Sequence, residues 1–262
     1  MQGSFTWFEL MTTDLADAER FYSEVVGWTA ADSGMPDRRY TIVSADGIGV
    51  GGMMALTPEM LAGGARPGWM GYVAVDDVDA TAAKAVSTGG KIHHEPTDIP
   101  GIGRFAVIGD PQGAIIVIFR GSMEPPPPQP GRWQAGALGW AELQATDQEA
   151  AFTFYANLFG WKKGEAIDCG PIGIYQLFAP WGATEPPPPE QNIGGMMTRT
   201  PEVPHPFWLY YFNTPSIDAA IGRIAKAGGT LIHGPSEVPG GMWILMALDP
   251  QGGMFAMVGP KA

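Results

Sequence analysis

The chain carries the stretch WFELMTTDLADAERFYSEVVGW at residues 7–28 and repeats it as WAELQATDQEAAFTFYANLFGW at residues 140–161. A GGMM run and a DPQG run follow in the same order in both copies. The repeated part spans roughly 120 residues, which is too long for a solenoid unit and long enough to bury its own core. The sequence therefore predicts two tandem domains, residues 1–121 and 133–262, joined by a Pro-rich linker at residues 122–132.

Composition narrows the classes of partner. The 262 residues are 45% hydrophobic and 16% charged, so each half can form a sizeable core. The formal net charge of −12 argues against nucleic acid or an anionic membrane surface, because both require a basic face. Cys169 is the single cysteine, which excludes an intrachain disulfide and a cysteine metal cluster. There is no leader sequence and no long apolar run, so we expect a cytoplasmic protein.

Helices are predicted by apolar residues at helical spacing within each copy. In the first copy the pattern lies between Asp14, which can cap a helix, and Gly27, which can end one. Asp147 and Gly160 bracket the same pattern in the second copy. A second helix is predicted later in each copy, at residues 78–88 and after Ser216.

Short segments with a period of two indicate strands around these helices. The DPQG run joins the last two strands as a tight turn, because Pro fixes φ and Gly permits unusual backbone angles. Each copy is then predicted to contain two modules, each with one strand, a helix and further strands. This pattern predicts an α+β fold whose helices pack on one face of a curved antiparallel sheet, with the concave face as a pocket.

The order of these motifs resembles the vicinal oxygen chelate superfamily. The motifs are a first strand, D-L-x-x-x-x-x-F-Y-x-x-x-x-G-W in the first copy, a GG pair and a closing D-P-x-G. That superfamily includes glyoxalase I, extradiol ring-cleaving dioxygenases, epoxide-opening resistance enzymes and bleomycin-binding proteins. The resemblance covers nearly the whole chain and implies a tandem-domain member. It also implies two βαβββ modules per domain, forming a curved mixed sheet around one site.

The same resemblance implies where a metal would be held, and this chain departs from the pattern there. Metal-dependent members place His, Gln or Glu ligands on four strands. The matching residues are Trp7, Tyr72 and Val117 in the first copy and Trp140, Tyr211 and Ala256 in the second, and the fourth position falls in the two GGMM runs. A divalent metal requires several converging His or carboxylate ligands. We therefore expect no bound metal and no other cofactor.

These six residues are expected to line an aromatic and aliphatic pocket that binds the substrate. Glu9 and Glu142 lie two residues after the tryptophans and are predicted to share their face. A carboxylate desolvated beside indole has a raised pKa and can act as a general acid or base, which makes both glutamates catalytic candidates. The alternative is a structural glutamate bonded to tyrosine or backbone. His94 and His233 also match between the copies, but without acidic neighbours they indicate a structural role.

Two functional classes are compatible with this site. One is a metal-free protein that binds a small apolar or aromatic molecule and performs acid/base chemistry of a lyase, isomerase or hydrolase. The other is a bleomycin-resistance-type binder that sequesters its ligand without catalysis. A metal-dependent lactoylglutathione lyase or ring-cleaving dioxygenase is third, because the required ligands are missing. The expected partner is a small molecule, with no nucleic acid or membrane, and the two domains are expected to pack together.

Overall fold

Each copy of the repeat forms one mixed β-sheet in the computed structural model, which describes residues 2–35, 38–123 and 128–262. Within these residues the first copy contributes eight strands in the order β2-β3-β4-β1-β5-β8-β7-β6. The strands are β1 (Phe5–Thr12), β2 (Thr29–Asp32), β3 (Tyr40–Ala45), β4 (Ile48–Ala55), β5 (Gly68–Ala74), β6 (Lys91–Ile99), β7 (Gly103–Gly109) and β8 (Ile115–Gly121).

The second copy has the equivalent strand order, β10-β11-β12-β9-β13-β16-β15-β14. Its strands are β9 (Leu138–Ala145), β10 (Lys162–Asp168), β11 (Ile174–Ala179), β12 (Gly194–Thr198), β13 (Phe207–Asn213), β14 (Thr230–Val238), β15 (Met242–Leu248) and β16 (Met254–Gly259). Four strand pairs are parallel, β1 with β4, β5 with β8, β9 with β12 and β13 with β16. The sheets are therefore mixed, and the wholly antiparallel sheet that the sequence pattern predicted is wrong, because each module closes on a parallel pair.

The first helix of each copy begins at its predicted cap. The helices are α1 (Leu15–Val25), α2 (Pro58–Ala62), α3 (Val78–Ser87), α4 (Gln148–Phe159) and α5 (Ile217–Lys226). The Asp14 carboxylate accepts from the Asp17 backbone N–H at 3.0 Å, and Asp147 accepts from two N–H groups of α4 at 3.0 Å. Gly160 ends α4 with φ +71°, a left-handed conformation that glycine adopts without steric cost. Within the described chain, no helix has the length and apolar character needed to cross a membrane.

The element order confirms an α+β fold of two tandem domains with four βαβββ modules. In each module one strand precedes the helix and three follow it, as in β1-α1-β2-β3-β4 and β5-α3-β6-β7-β8. β9 to β16, with α4 and α5, repeat this order in the second copy. α2 is additional, and it lies between the two modules of the first copy.

The chain forms two compact units, and each unit contains one module from each copy. The first unit comprises Met1–Thr6, Gly71–Pro127 and Ala141–Trp208, and the second comprises Trp7–Met70, Pro128–Trp140 and Leu209–Ala262. The second unit thus joins the opening module of the first copy to the closing module of the second. The first unit joins the other two modules.

Repeated residues hold the two modules of each unit together. In the second unit the Tyr22 hydroxyl on α1 donates to Asp249, in the second DPQG run, at 3.0 Å, and the Trp69 indole donates to Tyr22 at 2.8 Å. In the first unit Tyr155 donates to Asp110, in the first DPQG run, at 3.1 Å. Each tyrosine–aspartate bond joins one copy to the other, since its two residues come from different copies.

Candidate functional site

A hydrogen-bonded group around Glu9 lies in the second unit, and we call Trp7, Glu9, Tyr40 and Gly52 the Glu9 cluster. Glu9 on β1 is opposite Gly52 on β4 in the parallel register and is only 8% exposed. Tyr40 opens β3 and places its phenol over Gly52, where an added Cβ would lie 2.0 Å from the hydroxyl oxygen. The glycine is therefore required by the tyrosine, because no larger side chain fits beneath the ring.

The Tyr40 hydroxyl connects the tryptophan to the carboxylate. The Trp7 indole N–H donates to the Tyr40 oxygen at 2.9 Å, and the Tyr40 hydroxyl is hydrogen-bonded to Glu9. A phenol has one proton, so a hydroxyl that accepts from indole donates its own proton to the carboxylate. Burial, and next the nearby Glu9 charge, raise the pKa of Tyr40 well above its usual value. Tyr40 is thus a neutral donor at physiological pH.

The first unit contains the matching Glu142 cluster, formed by Glu142, Gln144, Tyr175 and Gly195. Glu142 on β9 is opposite Gly195 on β12 in the same parallel register and is 6% exposed. Tyr175 on β11 donates to one carboxylate oxygen at 3.0 Å, and Gln144 donates its amide N–H to the other at 2.6 Å. The Tyr175 ring covers Gly195, where an added Cβ would lie 2.3 Å from ring carbons.

Both tyrosines were missed by reasoning from the sequence, although both glutamates were predicted. Gly52 lies 12 positions after Tyr40, whereas Gly195 lies 20 positions after Tyr175, because a Pro-rich loop lengthens the second copy. The two tyrosines therefore do not align at the spacing of the other repeated residues. The available signal was the second glycine of each GGMM run, which keeps space for an aromatic ring on the neighbouring strand.

The remaining predicted pocket residues lie on other strands of the two units. In the first unit Tyr72 is opposite Val117 in the β5–β8 register, and both are buried. In the second unit Tyr211 is opposite Ala256 in the β13–β16 register, and both are buried. Trp140, which matches Trp7 in the repeat, lies on β9 and is half-buried. Tyr72 is thus paired with Val117, and Tyr211 with Ala256, each pair within one unit.

The repeated histidines are exposed and lie at strand irregularities. His94 stacks on Phe105 with ring centroids 4.9 Å apart, and its Nδ1 lies 2.9 Å from the Glu95 carbonyl oxygen. His233 Nε2 lies 3.1 Å from the Ser236 hydroxyl. The register shifts at both histidines, on β6 and on β14. Their contacts are with aromatic, backbone and hydroxyl groups.

The side chains at the family's ligand positions do not fit a metal ion. Trp7, Val117 and Ala256 offer no carboxylate or imidazole, and the space above Gly52 and Gly195 is filled by phenol rings. Within residues 2–35, 38–123 and 128–262, no group of three or more His, Cys, Asp or Glu side chains could hold one. A carboxylate placed at Gly52 or Gly195 would first have to displace the tyrosine.

A comparison with known protein families identifies the superfamily of this chain. The model of the Glyoxalase/Bleomycin resistance protein/Dioxygenase superfamily matches residues 4–118 and again residues 137–257. The chain belongs to this superfamily. The resemblance predicted from the repeated motifs is therefore confirmed, and each copy of the repeat corresponds to one matched region.

Curated relatives of this superfamily member align along nearly the whole chain. "Putative glyoxylase CFP32" of Mycobacterium tuberculosis is 30% identical over 274 residues, which cover 99% of this chain and 95% of the relative. "Anthracycline biosynthesis protein DnrV" of Streptomyces peucetius is 30% identical over 269 residues, which cover 98% and 93%. The tandem arrangement is thus shared with full-length proteins.

Solved structures share the fold at low sequence identity. The Mn(II)-bound glyoxalase of Novosphingobium aromaticivorans matches with a TM-score of 0.65 and 16% identity, covering 98% of this chain and 82% of that one. The 2,2',3-trihydroxybiphenyl 1,2-dioxygenase of Sphingomonas wittichii matches with a TM-score of 0.68 and 10% identity, covering 98% and 90%. These likenesses concern the fold alone.

Proposed function

We propose that this chain binds a flat, oxygen-bearing aromatic molecule without a metal, and that Glu9 transfers a proton on that ligand. The reaction class is an isomerase or lyase step that begins by removing a proton from a carbon that is conjugated, directly or through an aromatic ring, with a carbonyl. The observation that carries the proposal is the Glu9 cluster, which places a buried carboxylate, a neutral phenol and an indole together.

The aromatic character of the ligand is supported by the two repeated tryptophans. Trp7 and Trp140 are half-buried, so each keeps part of its ring surface accessible. Indole faces attract flat rings, and aromatic contacts of this kind contribute about 0.5–1.5 kcal/mol beyond area burial. The name of the Streptomyces peucetius relative associates that protein with anthracycline biosynthesis, whose products are polycyclic aromatics.

In the proposed step the Glu9 carboxylate accepts the proton from carbon. The electron pair of the broken C–H bond moves into the ring system, and the carbonyl oxygen takes up the negative charge. Tyr40 donates a hydrogen bond to Glu9, which favours its charged form before transfer, and the Trp7 N–H fixes the orientation of the phenol. Return of the proton to oxygen completes an isomerisation that requires no further reactant.

Binding without catalysis is the second candidate, and the Glu142 cluster favours it. Both oxygens of Glu142 accept hydrogen bonds, from Gln144 at 2.6 Å and from Tyr175 at 3.0 Å. Donors on both oxygens hold the carboxylate in place as a hydrogen-bond acceptor. We assign the Glu142 cluster to ligand binding, and Glu9, beside the neutral phenol and the indole, to proton transfer.

The test uses anthrone, a tricyclic ketone that isomerises to a phenol by losing a proton from carbon. Calorimetry measures its binding, and NMR in D2O measures exchange of the ring CH2 protons for deuterium. We expect binding and accelerated exchange by the native protein, and a loss of roughly 10²–10⁴-fold in exchange with E9Q while binding is kept.

Two outcomes would oppose the proposal. Absence of anthrone binding by the native protein would contradict the proposal that the ligand is a flat aromatic molecule. Binding with an exchange rate equal to that of buffer, or one unchanged in E9Q, would reject proton transfer by Glu9 and favour the sequestering function.

A further inference from the structure

The two faces of strands β7 and β8, in the first unit, differ in what covers them. Arg104 on β7 donates two N–H groups to Asp79 on α3, at 2.7 and 2.8 Å, which places its side of the strand against this helix. Side chains alternate along a strand, so Phe105 lies on the opposite face. Phe119 on β8 is its partner in the antiparallel register, and both rings are half-buried. The face turned away from α3 therefore keeps aromatic surface accessible.

Three rings occupy this face, and we call His94, Phe105 and Phe119 the ring face. His94 on β6 stacks on Phe105 with ring centroids 4.9 Å apart and planes inclined by 22°. The Phe119 ring lies over Gly103, where an added Cβ would be 2.8 Å from a ring carbon. The glycine is therefore required beneath this ring, as the glycines are in the Glu9 and Glu142 clusters.

The matching residues of the second copy form a different face in the second unit. None of them carries a ring in place of the phenylalanines, and the glycine is replaced by a large side chain. Phe105, Phe119 and Gly103 correspond to Ile244, Val258 and Met242. The fold thus forms in the second unit without these rings, so the ring face is a property of the first unit and not a requirement of the sheet.

The imidazole of His94 is oriented by a backbone contact. Its Nδ1 lies 2.9 Å from the Glu95 carbonyl oxygen, which can only accept a hydrogen bond, so Nδ1 carries the proton and the neutral ring has its lone pair on Nε2. Nε2 of the matching His233 lies 3.1 Å from the Ser236 hydroxyl, whereas among the described residues no hydrogen bond engages Nε2 of His94. His94 is exposed. The ring face therefore has a hydrogen-bond acceptor beside its phenylalanines.

We propose that the ring face binds a flat phenol, whose ring lies against Phe119 beside the His94–Phe105 stack and whose hydroxyl donates to Nε2 of His94. The inference rests on the proposed function and narrows its ligand to molecules with a phenolic O–H. Aromatic rings attract one another in offset and edge contacts, and a neutral imidazole nitrogen accepts from a hydroxyl. The isomerisation proposed for Glu9 gives a phenol when the carbonyl belongs to the ring system, so the ring face matches the product of that step.

The experiment compares 2-naphthol with 2-methoxynaphthalene, which keeps the rings and lacks the O–H, by fluorescence titration. The pH is about 8, between the ordinary pKa values of imidazole and phenol. The native protein is expected to bind 2-naphthol about 5-fold or more tightly, as one hydrogen bond gives. In H94F the ratio falls to about one, because phenylalanine keeps the stack on Phe105 and has no acceptor, and the affinity for 2-methoxynaphthalene stays within about 3-fold.

A matched control and a second variant locate the site. H233F makes the same change in the second unit, where Ser236 already contacts the imidazole, and leaves the ratio unchanged. F119L keeps an apolar side chain and removes the ring, so it weakens both probes by about 5-fold or more. Thermal unfolding checks that each variant folds.

The outcomes separate the ring face from the proposed function. Equal affinities of the native protein for both probes, or a ratio kept in H94F, overturn the role of His94. Unchanged affinities in F119L overturn the ring face as the site and leave the Glu9-dependent exchange of anthrone intact. Failure of both probes to bind the native protein contradicts aromatic binding itself. If F119L does not fold, NMR of the native protein tests the same claim, since bound 2-naphthol is expected to show intermolecular NOEs to the Phe119 ring, and their absence overturns the site.

Discussion

The Glu9 and Glu142 clusters share one arrangement and differ in the residue two positions after the glutamate. In both, a buried glutamate on the first strand bonds a tyrosine that lies over a glycine of the fourth strand. In the Glu142 cluster a further amide donor, Gln144, bonds the carboxylate, whereas Met11 stands at the matching position of the first copy. A thioether has no N–H to donate.

Through such a difference, the two copies of a duplicated site can take separate functions. An amide donor at 2.6 Å stabilises the charged carboxylate and makes it a fixed hydrogen-bond acceptor. Methionine, at the matching position of the first copy, has no amide group and is more adaptable in shape. We infer that the Glu142 cluster serves ligand binding and that Glu9 transfers the proton.

The largest effect is expected when the two glutamates are compared directly. E9Q should reduce anthrone exchange by roughly 10²–10⁴-fold, because it removes the proton acceptor. E142Q should change the exchange rate by less than about 3-fold, since that carboxylate does not take the proton in our assignment. Steady-state NMR exchange rates of both variants, with thermal unfolding as a check of folding, give the comparison.

Equal losses of exchange rate in E9Q and E142Q would show that the two clusters do not have separate functions. Loss in E142Q alone would reverse it and place the proton transfer in the first unit. Either result would show that the Gln144 amide does not decide which carboxylate reacts.

A smaller effect is expected at the glycines beneath the phenols. G52A and G195A each place a methyl group into a tyrosine ring, and such overpacking costs about 1–3 kcal/mol of unfolding free energy. G68A is the control for the second unit and G182A for the first, because a Cβ at either meets nothing within 4 Å. Urea unfolding measures the four variants. Equal stability of G52A and G68A would show that the phenol does not need the glycine.

The fold was largely predictable because its signals are local and repeated. Asp14 and Asp147 mark helix starts by their caps, and the DPQG runs mark tight turns. β2 was implied only by the βαβββ modules of the family resemblance, because all four of its residues, Thr29–Asp32, are exposed and the strand has no alternating pattern. The helix α2 is only five residues long and has no buried face, which leaves no apolar periodicity to detect.

Only part of the candidate site was predictable from the sequence, because the residues that bond the two glutamates come from distant positions. Glu9 and Glu142 were identified from their repeated place beside tryptophan. Tyr40 and Tyr175 reach them from another strand at different spacings. The bonds of Tyr22 with Asp249 and of Tyr155 with Asp110 likewise join motifs of different copies, which no local pattern indicates.

The smallest expected effect is the pH dependence of the free energy of unfolding that Asp110 and Asp249 cause. Burial raises the pKa of Asp110 and of Asp249 above the ordinary value of 3.8, although hydrogen bonds from backbone and tyrosine oppose the shift. The native state then holds these protons more tightly than the unfolded chain. Their contribution to the free energy of unfolding is complete below pH 3.8 and is lost as pH rises through the folded pKa.

D110N and D249N remove this titration while keeping an oxygen acceptor for the tyrosine. Each variant should show a shallower fall of unfolding free energy with rising pH than the native protein. Urea unfolding across the mildly acidic range measures the slope. A slope identical to that of the native protein in both variants would show that the aspartates are charged in the folded state throughout.

In our proposal, phenol–carboxylate clusters act where metal-dependent relatives use a metal, and the metal dependence of anthrone exchange is the decisive measurement. Protein treated with a chelator, and shown by elemental analysis to be free of Zn, Ni, Fe and Mn, is expected to exchange protons at the untreated rate. About one tightly held transition metal per copy, with exchange lost on its removal and restored by its return, would contradict the account.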